Sequence, residues 1–284
     1  MSPEIRYWSN RADEALPTHL SISAKGEAIL TIESNRDNPG IPNIGVFRAQ
    51  LQARELAPLV AALRTRDFIN HPNPKSALPG EVIRRFSMKE EGHDEIMKYV
   101  SEGSAPTPAF VTAENLALGL VKWVRQHPVY ALAMDAGPMP EQFGRGHYVQ
   151  FKMTLVNPGS ETIRIPHPET WPQEGAQFEL VGIRSDLPAE QLRNHHQRFQ
   201  PLTQQNIQDL QPSDVTPPRI TLSLRARLAM TLGVVLDWPP GQYETKYSFL
   251  CATYDREDKQ VCRGEIVSTR FNVKVTGSTK PGEV

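Results

Sequence analysis

Cysteine is nearly absent from this chain of 284 residues, which has only Cys251 and Cys262. Two thiols cannot supply a four-cysteine zinc site or a disulfide framework. An excess of charge of either sign is also missing: 31 basic side chains face 32 acidic ones, a formal net charge of −1. Binding to a phosphate backbone rests on surplus Lys and Arg, so this balance argues against a nucleic-acid partner. No apolar run approaches the roughly 18 residues that cross a bilayer as a helix, which argues against membrane insertion. Met1–Leu20 is charged and lacks the apolar core of a signal peptide. The chain therefore reads as cytoplasmic as written, or periplasmic if a leader has been removed.

Proline is plentiful. Its 25 residues are about twice the usual share, which implies many punctuated loops and few long helices. Hydrophobic residues at 39% and charged residues at 22% suit a soluble globular protein, long enough for two modest domains or one large one.

The first part reads as α/β. "LSISAKGEAILTIES" alternates on both sides of Lys25-Gly26 and is expected to form a hairpin. "IGVFRAQL" alternates again. "QARELAPLVAALRTRDF" carries Leu56, Leu59, Val60 and Leu63 at helical spacing, with Pro58 implying a kink or a late start. "EVIRRFSMKEEGHDEIMKYV" reads as a hairpin turned at Glu91-Gly92. "TAENLALGLVKWVRQHP" reads as a helix capped by Thr112, stopped by Pro128 and buried along Leu116, Leu120, Trp123 and Val124. "VYALAMD" is then a short strand, and "AGPMPEQFGRG" marks a boundary.

The second part reads as all-β, with at least six short strands between turn signals. "YVQFKMTLVNPGSETIRIP" gives two of them around Asn157-Pro158-Gly159-Ser160. A polar, glutamine-rich stretch separates Asp186 from Arg219, and its first half, Pro188 to Phe199, is expected to be helical. Cys251 and Cys262 bracket the tip "DREDKQ". If that hairpin is symmetric they face each other, as a disulfide suited to an oxidising compartment or, more plainly, as two small buried thiols. In "LDWPPGQY", Leu236 and Trp238 can pack inward, the prolines and glycine make the turn, and Tyr243 can bond back to the crossing loop as a tyrosine corner does.

Taken with the "MTLVNPGSETIRIP" hairpin, Gln150 to Val275 resembles an immunoglobulin-like β-sandwich of bacterial type. The resemblance implies a fold and almost nothing about activity. It lacks the Cys…Trp…Cys arrangement of antibody domains. The hairpin–helix–hairpin–helix order of the first part is similar to uncharacterised bacterial α/β domains, a resemblance that brings no catalytic residue with it. The expected fold class is α+β. An α/β domain spans 1–136, a linker 137–147, the sandwich with its long insertion 148–276, and a flexible tail 277–284.

No G-x-S-x-G, H-E-x-x-H, phosphate-binding loop or dinucleotide fingerprint occurs. His195 and His196 are adjacent and so chelate one metal poorly, though His167 can meet them in space. Asp255 and Asp258 lack the spacing of a calcium loop. Arg184, Arg219, Arg225 and Arg227 with "RNHHQRFQ" form either a basic patch or a solvated face. Trp171 is either a core plug or an exposed anchor.

The leading expectation is a non-enzymatic protein that binds another protein, such as an inhibitor or toxin-neutralising immunity protein, without a cofactor. Trp171, Arg193, His195, His196, Arg198 and Phe199 would make the contacts. The rival is a metal-dependent hydrolase built on His167, His195 and His196. A structural or carbohydrate-binding module is the third reading. It needs an exposed aromatic row, whereas Tyr148, Phe151, Phe178, Tyr247 and Phe249 read as core by alternation.

Overall fold

Strand alternation dominates the chain. In the computed structural model, which describes residues 2–11, 18–35, 43–74, 81–137, 140–166, 177–201, 219–251 and 264–277, the protein is mainly β with few helices. The chain divides into two compact units, Met1–Ser34 with Gly45–Val129, and Asn35–Ile44 with Tyr130–Val284.

In unit 1 the strands are β1 (Glu4–Arg11), β2 (Thr18–Ile22), β3 (Glu27–Ile32), β4 (Asn43–Gln50), β5 (Val82–Lys89) and β6 (Ile96–Ser101). They form an antiparallel sheet in the order β6-β5-β1-β2-β3-β4. Both expected hairpins are present, and Gly26 and Gly92 supply the positive φ of their turns. Strand β1 lies where no strand was expected. Its buried positions, Ile5 and Tyr7, alternate with Glu4, Arg6 and Trp8, and the charges hide the pattern.

Helices α1 (Ala53–Leu63), α2 (Arg66–Ile69) and α3 (Pro108–Val124) belong to the same unit. Helix α1 starts at Ala53, not late, because Glu55 accepts a 2.7 Å bond from the Gln52 amide. Pro58 and Arg54 are both exposed, so the carbonyl freed by the proline lies on the solvent side. Helix α3 starts earlier than expected. Thr107, not Thr112, is the cap and accepts from the Phe110 amide at 3.3 Å, while Pro108 occupies the first turn. Thr112 instead bonds the Pro108 carbonyl at 2.9 Å. The buried stripe runs through Phe110, Ala113, Glu114, Ala117 and Val124, leaving Leu116, Leu120 and Trp123 only half-buried.

Glu114 is 7% exposed in an apolar setting. Such a carboxylate is tolerated only when bonded. The Tyr7 hydroxyl donates to it at 3.0 Å and Arg84 at 2.6 Å. Burial, then the neighbouring Glu114 charge, pushes the Tyr7 hydroxyl well above the tyrosine range. Phe68, Phe86 and Phe110 complete the aromatic core beside Tyr7. His71 is buried against Phe110, its Nδ1 lies 3.0 Å from the Thr107 hydroxyl, and burial lowers its pKa. At the sheet edge, the Asn73 amide accepts from the Tyr99 N–H at 3.0 Å and donates to the Met97 carbonyl at 3.2 Å.

Unit 2 holds β7 (Pro128–Ala136), β8 (Gln142–Gly144), β9 (Tyr148–Val156), β10 (Ile163–Pro166), β11 (Gln177–Arg184), β12 (Asn194–Pro201), β13 (Arg219–Leu222), β14 (Arg227–Val235), β15 (Gly241–Cys251), β16 (Gly264–Val267) and β17 (Phe271–Thr276). Their order is β7-β9-β14-β12-β11-β15-β17-β8, with β16 also on β15 and β10 paired with β13. Strand β8 falls inside the span read as a linker and runs parallel to β17.

Pro188 to Phe199 is not a helix: after a short 3-10 turn at Ala189–Gln191, the chain becomes β12, held by β11 on one side and β14 on the other. Pairing of Asn194–Phe199 with β11 overrides the local helical composition, while β14 meets only Gln200 and Pro201. Strand β10 follows β9 in sequence but pairs with β13. Tyr148 is 54% exposed, whereas Phe178, Tyr247 and Phe249 are buried as alternation implied.

Asn157 explains the β10 pairing. Its side-chain amide donates to the carbonyls of Glu161, Leu222 and Ser223 at 2.8, 3.0 and 3.1 Å, and its side-chain oxygen accepts from Gly159 at 2.9 Å. Its main chain bonds Ala226 and Arg225, which takes a φ of 58°. One buried side chain thus ties the β9–β10 turn to the β13–β14 turn. Cys251 is buried on β15, and Cys262, Asp255 and Asp258 lie outside the described residues.

Asn157→Ala is expected to cost about 2–4 kcal/mol, because several buried carbonyls lose their donor at once. Equilibrium urea unfolding measures it. His71 has a folded pKa below its ordinary value of 6.5. The unfolded chain therefore binds that proton more readily. The stability His71 contributes is complete above the ordinary value and falls away as pH drops through the lowered one. Urea midpoints are expected to decline less steeply with acid in His71→Gln than in the native chain.

Candidate functional site

The register of β11, β12 and β15 sorts their side chains onto two faces. Gly182 lies opposite His195 and Thr245, Val181 opposite His196 and Lys246, and Glu179 opposite Arg198 and Ser248. Odd positions of β11 face outward and even ones inward. The "NHHQRFQ" run therefore divides. Asn194, His196 and Arg198 share the outward face, while His195, Gln197 and Phe199 share the inward one. Phe199 is buried edge-to-face on Phe178, 5.6 Å between centroids, which removes it from the expected contact surface. Arg193 is exposed just before β12. Trp171 and His167 lie outside the described residues.

The outward face carries a cleft of about 210 Å³ whose lining includes Glu179, Val181, Ile183, His196, Glu265 and Arg270. Val181 and Ile183 give it an aliphatic strip between charged walls. His196 Nδ1 lies 3.3 Å from Glu179 Oε1, and Arg270 donates to Glu244 at 2.9 Å. Glu265 is 6% exposed and accepts from the Ser248 hydroxyl at 2.6 Å. Its strand is held by Asn35, whose side chain accepts from the Val267 amide at 2.6 Å and donates to the Val267 carbonyl at 2.9 Å. These polar side chains are bonded across neighbouring strands and loops, an arrangement suited to meeting polar groups of a ligand.

The inward face ends in an aromatic corner. Trp238 and Tyr243 pack with centroids 4.8 Å apart, and the His195 ring stands edge-on to Tyr243 at 5.5 Å. The Tyr243 hydroxyl donates to the Pro239 carbonyl at 2.7 Å, the bond expected of a tyrosine corner. Burial raises its pKa, with Asp186 adding to the rise. Arg184 grips Asp186 through two bonds of 2.9 and 3.0 Å, and that hydrogen bonding holds the Asp186 carboxyl below its ordinary range. Burial lowers the His195 pKa, and Arg184 lowers it further. Because His195 and His196 face opposite sides, they cannot ligate one ion together. Among the described residues no three His, Cys, Asp or Glu side chains converge in a metal-binding group.

Glu179, Glu244, Glu265 and Asn35 belong to no sequence motif. Period-two alternation in "QFELVGIR" was the one available signal for Glu179, Val181 and Ile183 sharing a face.

No family model matches the chain, and no curated protein matches it. Solved structures give distant likenesses. A β-glucosidase from Listeria innocua with gluconolactone aligns over 51% of this chain and 16% of its own length, at 10% identity and a TM-score of 0.29. The putative ApaA protein from Bordetella pertussis aligns over 52% of this chain and 96% of its own, at 13% identity and a TM-score of 0.27. A CARDB domain from Pyrococcus furiosus, in complex with di-metal ions, aligns over 52% and 92%, at 12% identity and a TM-score of 0.23. None of these likenesses assigns an activity, and this chain spans only a small part of the glucosidase.

A Cβ on Gly182 would lie 2.6 Å from the Trp238 ring. Gly182→Ala is therefore expected to displace the indole, costing about 1–3 kcal/mol. Urea unfolding and a shift in tryptophan emission check this.

Proposed function

We propose that unit 2 is an immunoglobulin-like sandwich that binds another protein through the outward face of β12, β11 and β15, without chemistry of its own. The sandwich reading is supported by the β14-to-β15 connection, which passes over two intervening strands and is fastened by the Tyr243 hydroxyl. Slender pairing between β12 and β14, at Gln200–Gly233 and Pro201–Leu232, lets the strands on either side act as separate layers.

The observation that carries the binding reading is the cleft itself, where an aliphatic strip lies between walls of mixed charge. Apolar floor and polar rim are the anatomy of a protein interface. Arg198 and Arg193 extend the cationic side, and Leu192, 42% exposed, adds an apolar contact at the start of β12. An inhibitor or immunity protein uses such a surface, and its partner would present carboxylates to Arg198 and Arg270 and an aliphatic side chain to Val181 and Ile183.

Capture from the source organism is compared between the native chain and an Arg198→Glu/Arg270→Glu variant. Both arginines are exposed, so the variant keeps its fold. One protein is expected to bind the native chain and to bind the variant at least about tenfold more weakly, as reversal of charges within an interface implies. Identical capture profiles overturn the assignment.

A further inference from the structure

The outward face of the unit 1 sheet holds a second charged constellation. Register places Arg85, Trp8 and His19 side by side on β5, β1 and β2. Arg85 Cζ lies 4.1 Å from the Trp8 ring centroid, and the His19 ring stacks on the indole at 4.9 Å with planes 6° apart. Arg85 and His19 thus both pack on the Trp8 indole, one from each neighbouring strand. Arg6, two residues before Trp8, shares this face and lies opposite Ser21 and Ser87. It is diagonal to both His19 and Arg85, and diagonal neighbours on a sheet face are about 7–8 Å apart, within reach of long side chains.

Among the described residues neither Arg6 nor Arg85 forms an ion pair. His19 Nε2 is buried with no hydrogen-bond partner among them. Glu4, two residues before Arg6 on β1, shares this face with it. Glu4 lies opposite Lys89, and Glu27 lies 3.5 Å from Arg48. On β6, Tyr99 lies opposite Arg85 and its hydroxyl donates to the Pro74 carbonyl. Burial is the first cause holding His19 below its ordinary pKa, followed by the charges of Arg6 and Arg85. Among the described residues, two guanidinium groups and an imidazole thus share a patch in which neither arginine is held in an ion pair.

We propose that Arg6, Arg85 and His19 form a binding site for a phosphate-type oxyanion. A tetrahedral oxyanion accepts the paired N–H groups of guanidinium, which is the geometry arginine recognises best. The Trp8 stack fixes the direction of Arg85 and limits the entropy lost on binding. Ser21 flanks Arg6 on β2 with its hydroxyl on the same face, while Ser87, opposite Arg6 on β5, is buried. With the anion in place, the cationic field at His19 is largely offset, so binding is linked to proton uptake by the imidazole. This site rests on unit 1 alone and stands apart from the protein-binding reading of unit 2.

The full chain is titrated with inorganic phosphate against chloride at matched ionic strength, by calorimetry and by NMR of the His19 ring. Saturable phosphate binding that strengthens as pH falls, with an upward move of the His19 titration, is expected. Arg6→Gln should weaken it at least about tenfold, as loss of one charge-assisted contact implies, with the thermal midpoint unchanged. Arg85→Gln should do the same, and if that variant unfolds, Arg6→Gln alone decides. Phosphoserine peptide and nucleoside monophosphate run in parallel, and the tighter of them names the group that carries the oxyanion. No saturable binding, an equal response to chloride, or an unchanged affinity in Arg6→Gln overturns the site.

Discussion

The Tyr243 hydroxyl, held to the Pro239 carbonyl, fixes the entry angle of β15. Unit 2 depends on that angle, because β15 pairs with β11, β16 and β17 at once. Its inward side chains, Tyr243, Thr245, Tyr247 and Phe249, fill the core, and its outward ones, Glu244, Lys246 and Ser248, build one wall of the cleft. A rotation of β15 would exchange these two sets, since alternation leaves no intermediate arrangement. Gly182 makes room for Trp238 beside this strand, so the corner and the cleft are set by the same few residues.

Buried polar groups do much of the specifying elsewhere. Glu114 in unit 1, and Asn157 and Asn35 in unit 2, are nearly inaccessible, and each makes several hydrogen bonds. Such groups add modest net stability when satisfied and cost heavily in any alternative packing that breaks them. They select one arrangement of turns and strands from many that would bury similar apolar area. Asn157 shows this most directly, since it gives β10 to β13 in preference to its sequence neighbour β9.

Much of the strand content and the tyrosine corner was legible in the sequence, because period-two alternation and turn residues are local signals. The hairpins at Gly26 and Gly92 and the inward placement of Leu236, Trp238 and Tyr243 follow from them. Strand β12 was not legible: "NHHQRFQ" has little apolar content and becomes a strand through partners distant in sequence. Strand β1 was hidden by its charges, and the start of α3 by a second plausible cap at Thr112. The cleft was legible only in fragments. His196 and Arg198 drew attention as a polar run, but their joining with Glu179, Glu265 and Arg270 depends on pairing that no spacing rule encodes. Trp171 and His167 lie outside the described residues.

Asn73 has a wider meaning than one capped edge. A boundary strand offers a ready template on which a second polypeptide can add, the route by which β-rich proteins grow into aggregates. At β6 the template is interrupted where the Asn73 amide occupies the Tyr99 donor and the Met97 acceptor. The Asn73 carboxamide thereby blocks part of this margin, and its loss would matter more to a concentrated solution than to an isolated molecule.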